Sequence, residues 1–117
     1  KKIIFAYYIQ EQIISINMLL SSKLREIRLK SNMPQRKVAA ELDIDTATYC
    51  KYEKGSMKMN LMQLEKVVEC LNANREELLT LWQADQINSV VATDSNIAAN
   101  AIEIIYKQYQ SIKNQKK

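Results

Sequence analysis

The sequence predicts an all-α protein: a five-helix domain, with an N-terminal extension before it and a C-terminal amphipathic helix after it. Three observations carry this. One glycine and one proline in 117 residues leave too few turn formers for a many-stranded sheet. Apolar residues recur at helical spacing in one segment after another. Good capping residues stand where those segments begin. The length suits one small core with appendages, divided as residues 1–20, 21–82 and 83–117.

Residues 1–20 are the least regular stretch. Ile3, Ile4, Phe5, Tyr7, Tyr8 and Ile9 follow two lysines, as in a signal peptide. No small-residue cleavage site follows, and Gln10, Glu11 and Gln12 end the run early. The spacing of Ile3, Ala6, Tyr7, Gln10, Ile13, Ile14, Asn17 and Leu20 allows an amphipathic helix. A strand over residues 2–9 is the alternative, because β-branched and aromatic residues dominate there. Met18 is a possible natural start, which would leave residues 1–17 outside the functional protein.

The first helix of the domain is expected from a Ser22 cap to about Ser31, with Leu24, Ile27 and Arg28 facing inward. An arginine on an inner stripe needs a partner. The second helix buries Val38, Ala39 and Leu42. Asp43 interrupts the pattern, Ile44 plugs inward, and Asp45 caps a new helix. In this third helix, 100° per residue puts Thr48, Tyr49, Tyr52 and Glu53 on one side. Thr46, Ala47, Cys50, Lys51 and Lys54 fall on the other, a short, polar, basic side that suits a DNA major groove. Gly55 ends the helix, with Lys54 in its last turn complementing the dipole. Residues 56–59 then form a polar loop.

Asn60 caps the fourth helix, whose core stripe is Leu61, Leu64, Val67, Val68 and Leu71. Cys70 flanks that stripe as a small hydrophobe. After a turn at Asn72-Ala73-Asn74, Asn74 caps the fifth helix. Glu76 and Glu77 suit its first turn, and Leu78, Leu79 and Trp82 point in. Residues 83–93 extend it, and Asp94 or Ser95 caps a last helix with a stripe of Ile97, Ala101, Ile104, Ile105, Gln108 and Ile112. Such a helix either closes over its own core or pairs with its copy in a homodimer; pairing is favoured, because five helices already complete a small bundle. The basic tail, residues 113–117, is expected to be disordered.

Charge and cysteine content narrow the function. The net charge is +4, and residues 21–58 carry nine Lys/Arg against five Asp/Glu, while residues 59–92 carry two against five. The positive charge is thus concentrated on the helix-turn-helix stretch, as a phosphate-binding footprint would be, although a solvated basic face looks the same. There is no histidine, and Cys50 and Cys70 stand twenty residues apart without a partner motif. Neither a metal site nor a disulfide framework is expected, and a reduced, cytoplasmic setting fits. No apolar run is long enough to cross a membrane. No acid–base pair or activated nucleophile stands out, so neither catalysis nor a cofactor is expected.

Residues 24–79 resemble the phage-repressor/Cro-like helix-turn-helix regulators, the xenobiotic-response-element family. The likeness rests on L-R-x-x-R in the first helix and on Gln35, Ala39, Leu42, Ile44, Tyr49, Glu53 and Gly55. It continues through Leu61, Leu64 and Leu71 to R-E-E-L-L in the fifth helix. The resemblance implies that Thr46, Ala47 and Lys51 read base edges. It also implies that Gln35, Lys54, Ser56 and Lys58 meet phosphates, with Gln35 bracing the readers as well. Arg28 and Glu53 match a buried ion pair, which would supply the inward arginine with its partner. Two positions depart from the family. Asp43 stands where glycine is usual, at a turn expected to require φ > 0, which Asp tolerates. Pro34 replaces a capping Ser or Thr; it is comfortable at a helix start but offers no capping oxygen.

The implied function is a sequence-specific bacterial or phage transcriptional regulator that binds a palindromic operator on double-stranded DNA as a homodimer. It would act as a repressor or operon controller. The alternative is an antitoxin-type or adaptor protein that uses the helical fold to bind a toxin or another protein.

Overall fold

The computed structural model describes residues 18–91 and 94–115. The expectations for residues 1–17 lie outside them. Six helices follow one another: α1 (Leu19–Lys30), α2 (Gln35–Glu41), α3 (Thr46–Lys54), α4 (Leu61–Leu71), α5 (Arg75–Val91) and α6 (Ser95–Gln115). No strand occurs among the described residues.

The helix ends follow local chemistry. Asp45 accepts from the Thr48 N–H at 2.7 Å and caps α3. Asn60 accepts from the Gln63 N–H while Gln63 Oε1 accepts from the Asn60 N–H, so a capping box opens α4. Asn74 accepts from the Glu77 N–H at the start of α5. Of the two residues considered for α6, Asp94 is the cap, accepting from the Asn96 and Ile97 N–H groups. Pro34 precedes α2 with no side-chain cap. Asp43 takes φ 61° in the turn between α2 and α3, the left-handed conformation that turn required. Gly55 closes α3 at φ 81°, and a Cβ there would come within 2.8 Å of Met18 Cγ. Both space and backbone therefore demand glycine.

Two expectations about ends are corrected. The first helix starts at Leu19 rather than after a Ser22 cap. Its cap comes from across the domain: the Asp85 carboxylate of α5 accepts from the Leu19 and Leu20 N–H groups at 3.1 and 3.0 Å. A carboxylate at those orphan donors also suits the helix dipole. Leu20 and Ser21 are consequently buried. The second correction is the basic tail, which is helical through Gln115 because α6 continues without a breaker; residues 116–117 lie outside the described residues.

One core joins the first five helices. Leu20, Leu24, Val38, Ala39, Leu42, Tyr49, Tyr52, Leu64, Val67, Leu71 and Leu78 fill it, and Ile27, Ile44, Val68, Cys70, Leu79 and Trp82 pack around it. Cys70 Sγ lies 3.7 Å from Met33 Sδ, and burial pushes its thiol pKa up, as a small packing residue requires. Met59 is buried too, against the reading of residues 56–59 as a polar loop. The Trp82 Nε1–H donates to its carbonyl at 2.9 Å, which fixes the segment between α3 and α4. Leu61, counted in the α4 stripe, is 47% exposed because it stands in the first turn, beyond the reach of the other helices. Lys23 to Glu77 at 3.0 Å and Arg75 to Glu65 at 2.7 Å tie α5 to α1 and α4 at the surface. No residue of α6 is buried.

Candidate nucleic-acid interface

The site is built by making α3 rigid on one side and leaving the other side free. On the inner side Tyr49, Tyr52 and Glu53 are buried. Arg28 of α1 meets the Glu53 carboxylate twice, Nε to Oε2 at 2.6 Å and Nη2 to Oε1 at 3.0 Å. Arg28 Nη1 also donates to the Met33 carbonyl at 2.9 Å. This planar fork satisfies the inward arginine in the way a bidentate carboxylate pair allows. Gln35 Nε2 adds a third donor to Glu53, at 3.1 Å to Oε1. Helices α1, α2 and α3 therefore converge on one carboxylate.

Burial alone would raise the Glu53 pKa, but the hydrogen bonds from Arg28 and Gln35, with the charge of Arg28, outweigh it and hold the carboxyl below its ordinary range. Tyr49 is held far above the ordinary tyrosine range, first by burial and then by the closeness of the Glu53 carboxylate. Its hydroxyl is enclosed and makes no hydrogen bond of good geometry with a defined partner. Arg28 is held above its usual value, first by its hydrogen bond to Glu53. Arg28 and Glu53 stay ionised as a pair at neutral pH, while Tyr49 stays neutral.

On the outer side, Thr46, Ala47, Lys51 and Lys54 are exposed. Cys50, placed on that side by the helical projection, is half-buried instead. It stands at the edge of the face rather than on it. Ser56 and Lys58, in the segment after α3, are exposed, and the Ser56 hydroxyl donates back to the Lys51 carbonyl at 3.3 Å. Gln35 is half-buried and spends its amide N–H on Glu53, which fits bracing more directly than open contact. Arg36 and Lys37 in the first turn of α2 are also exposed cations. They did not emerge from the sequence reading, although removing the inward Val38, Ala39 and Leu42 from the helical projection leaves them pointing out. This arrangement offers a short helix face of small and cationic side chains, which can enter a groove and meet phosphate without desolvating a buried charge. Among the described residues no cluster of His, Cys, Asp and Glu could hold a metal ion, and no helix is long and apolar enough to cross a membrane.

Comparison with known proteins agrees with this geometry. The family described as Helix-turn-helix matches residues 24–78, from α1 into the start of α5. The control protein C.BamHI of Bacillus amyloliquefaciens is 36% identical over 66 residues, covering 56% of this chain and 82% of that protein. The cryptic phage CTXphi transcriptional repressor RstR of Vibrio cholerae is 31% identical over 62 residues, covering 53% of this chain and 56% of the repressor. No solved structure matches the chain. The chain belongs to the helix-turn-helix family, in its phage-repressor/Cro-like branch of DNA-binding transcriptional regulators.

Proposed function

We propose that the protein is a sequence-specific repressor or operon controller that binds a palindromic operator as a homodimer. The observation that carries this reading is the division of α3: its inner face is tied to α1 and α2 through Glu53, while Thr46, Ala47, Lys51 and Lys54 serve no need of the core. Thr46, Ala47 and Lys51 are the base readers in this proposal. A lysine one and a half turns into the helix can reach guanine O6 and N7, and the alanine and threonine methyls suit a thymine methyl. Lys54, Ser56 and Lys58 take phosphates, and Gln35 positions α3 while its helix start approaches the backbone.

Two copies are needed because one such domain reads only a few base pairs. A twofold protein then implies half-sites about one helical turn, ~34 Å, apart. The relatives named as a control protein and a transcriptional repressor support regulation of transcription as the outcome. A bacterial regulator of this kind works in the cytoplasm. The test is footprinting on the DNA upstream of the protein's own gene. Two protected half-sites with twofold symmetry are the expected result; no protection at any salt concentration would sink the proposal.

A further inference from the structure

The helix with the free cationic face begins on a negative charge. Asp45, the N-cap of α3, is exposed and directly precedes the exposed Thr46 and Ala47. Its Oδ1 accepts from the Thr48 N–H at 2.7 Å. Hydrogen bonding from Thr48, and then the charge of Lys51, hold its carboxyl below the ordinary range. Capping accounts for only part of this group. A carboxylate offers about four lone-pair sites, and Thr48, with one N–H and one hydroxyl, fills two at most. Serine or asparagine would cap the helix as well, and would bring no negative charge to a surface that must approach phosphate. What remains is an anion with open lone pairs at the leading end of α3, the end from which such helices contact base edges.

We infer that Asp45 is a specificity-determining residue that selects a cytosine, accepting a hydrogen bond from its N4 amino group in the major groove. The inference rests on the DNA-reading proposal above and names one base that the site requires. An ionised carboxylate only accepts hydrogen bonds. Guanine N7 and O6 and thymine O4 are acceptors too, so they repel it. Adenine sets the N7 acceptor beside its N6 amino group, whereas cytosine presents a donor alone. Rejection of the other bases thus contributes to the choice together with attraction to cytosine. The same charge repels phosphate at the helix start, which weakens binding wherever no cytosine compensates. Asp45 and Lys51 are six residues apart, about 9 Å along a helix. At ~3.4 Å per base pair the carboxylate and the ammonium meet different base pairs.

Selection of bound duplexes from a random-sequence library, using the full chain and its variants, tests the assignment. Asp45→Ser and Asp45→Asn keep a capping oxygen for the Thr48 N–H, so both should melt like the wild type with an unchanged circular dichroism spectrum. The wild type should enrich sites with one pair fixed as C·G, and exchanging that pair for T·A should weaken binding about tenfold or more. Asp45→Ser should lose the preference at that pair alone. Asp45→Asn should accept adenine there, because an amide both donates and accepts. Asp43→Asn removes an equal charge from the preceding turn, at a φ of 61° that asparagine tolerates, and should leave every preference unchanged. If Asp45→Ser tightens binding to all sequences alike and enriches the wild-type site, Asp45 is only a cap, and the inference fails while sequence-specific binding stands. The same shift of preference in Asp43→Asn would also overturn it, since the effect would then belong to overall charge. A library from which the wild type enriches nothing would remove the DNA-reading proposal itself.

Discussion

Helices α3 and α6 both present a face that the core does not use, yet the two are opposite in construction. In α3 the unused face is small and cationic, and the other face is clamped by Tyr49, Tyr52 and the Arg28–Glu53–Gln35 group. In α6 the unused face is apolar and nothing clamps the other side. A helix that must enter a groove in register has to be held rigidly, because a charged, hydrated partner contributes orientation only to a surface that is already fixed. An apolar face left exposed would be fixed by whatever packs on it, so α6 needs no clamp within its own domain. The same amphipathic spacing thus serves two ends, and which end is decided by what the remaining side of the helix touches.

The clamp should give the largest effect. Glu53→Gln leaves the Arg28 guanidinium buried without a counter-charge, at a cost of about 3–5 kcal/mol in folding stability. Chemical denaturation would measure it, and a wild-type midpoint would show that the clamp contributes nothing. Its pH dependence follows from the direction of the shift. The native Glu53 pKa lies below the ordinary value of 4.5, so its stabilisation is complete above that value. It drains away as the pH falls through the lower native value. Glu53→Gln should therefore flatten the acid limb of the stability profile, and an acid limb as steep as that of the wild type would mean that other carboxylates carry it.

Leu64→Ala, in the fully buried stripe of α4, should cost about 2–5 kcal/mol through lost burial and a residual cavity. Ile97→Gln on α6 should stay within about 0.5 kcal/mol in dilute protein, because its side chain touches no core. Thermal melts of the two variants side by side would test the contrast. A large loss from Ile97→Gln would mean that α6 packs on its own domain.

Much of this organisation was legible in the sequence, for reasons of spacing. Leu24, Val38, Ala39, Leu42, Leu64, Val67, Leu71 and Leu78 recur at helical intervals, and Asp45, Asn60 and Asn74 cap helices through partners three residues away. The inward arginine signalled that it needed a partner, because an unpaired buried charge is too costly to persist, and the family resemblance pointed to Glu53. What was not legible depends on distant parts of the chain. The cap of α1 is Asp85, 66 residues beyond Leu19, so local pattern pointed to Ser22 instead. Met59 looks like loop until Trp82 is seen to hold its carbonyl. Leu61 fits the α4 stripe, but only tertiary packing shows that its turn protrudes. The outer face of α3 was visible as the side left over by the core, whereas the exposed Arg36 and Lys37 belong to a helix too short for its outer face to stand out from its inward stripe.

The central claim is that the free face of α3 reads sequence while the segment beyond it only anchors the protein. Equilibrium binding of Lys51→Ala and Lys58→Ala to operator and to scrambled DNA, each at several salt concentrations, tests this most directly. Lys51→Ala should cost about 1–3 kcal/mol on the operator alone and relax preference at one base pair. Lys58→Ala should weaken binding to both DNAs alike and lower the salt dependence by about one ion. Equal losses by both variants on both DNAs would contradict the claim and make Lys51 one more phosphate contact.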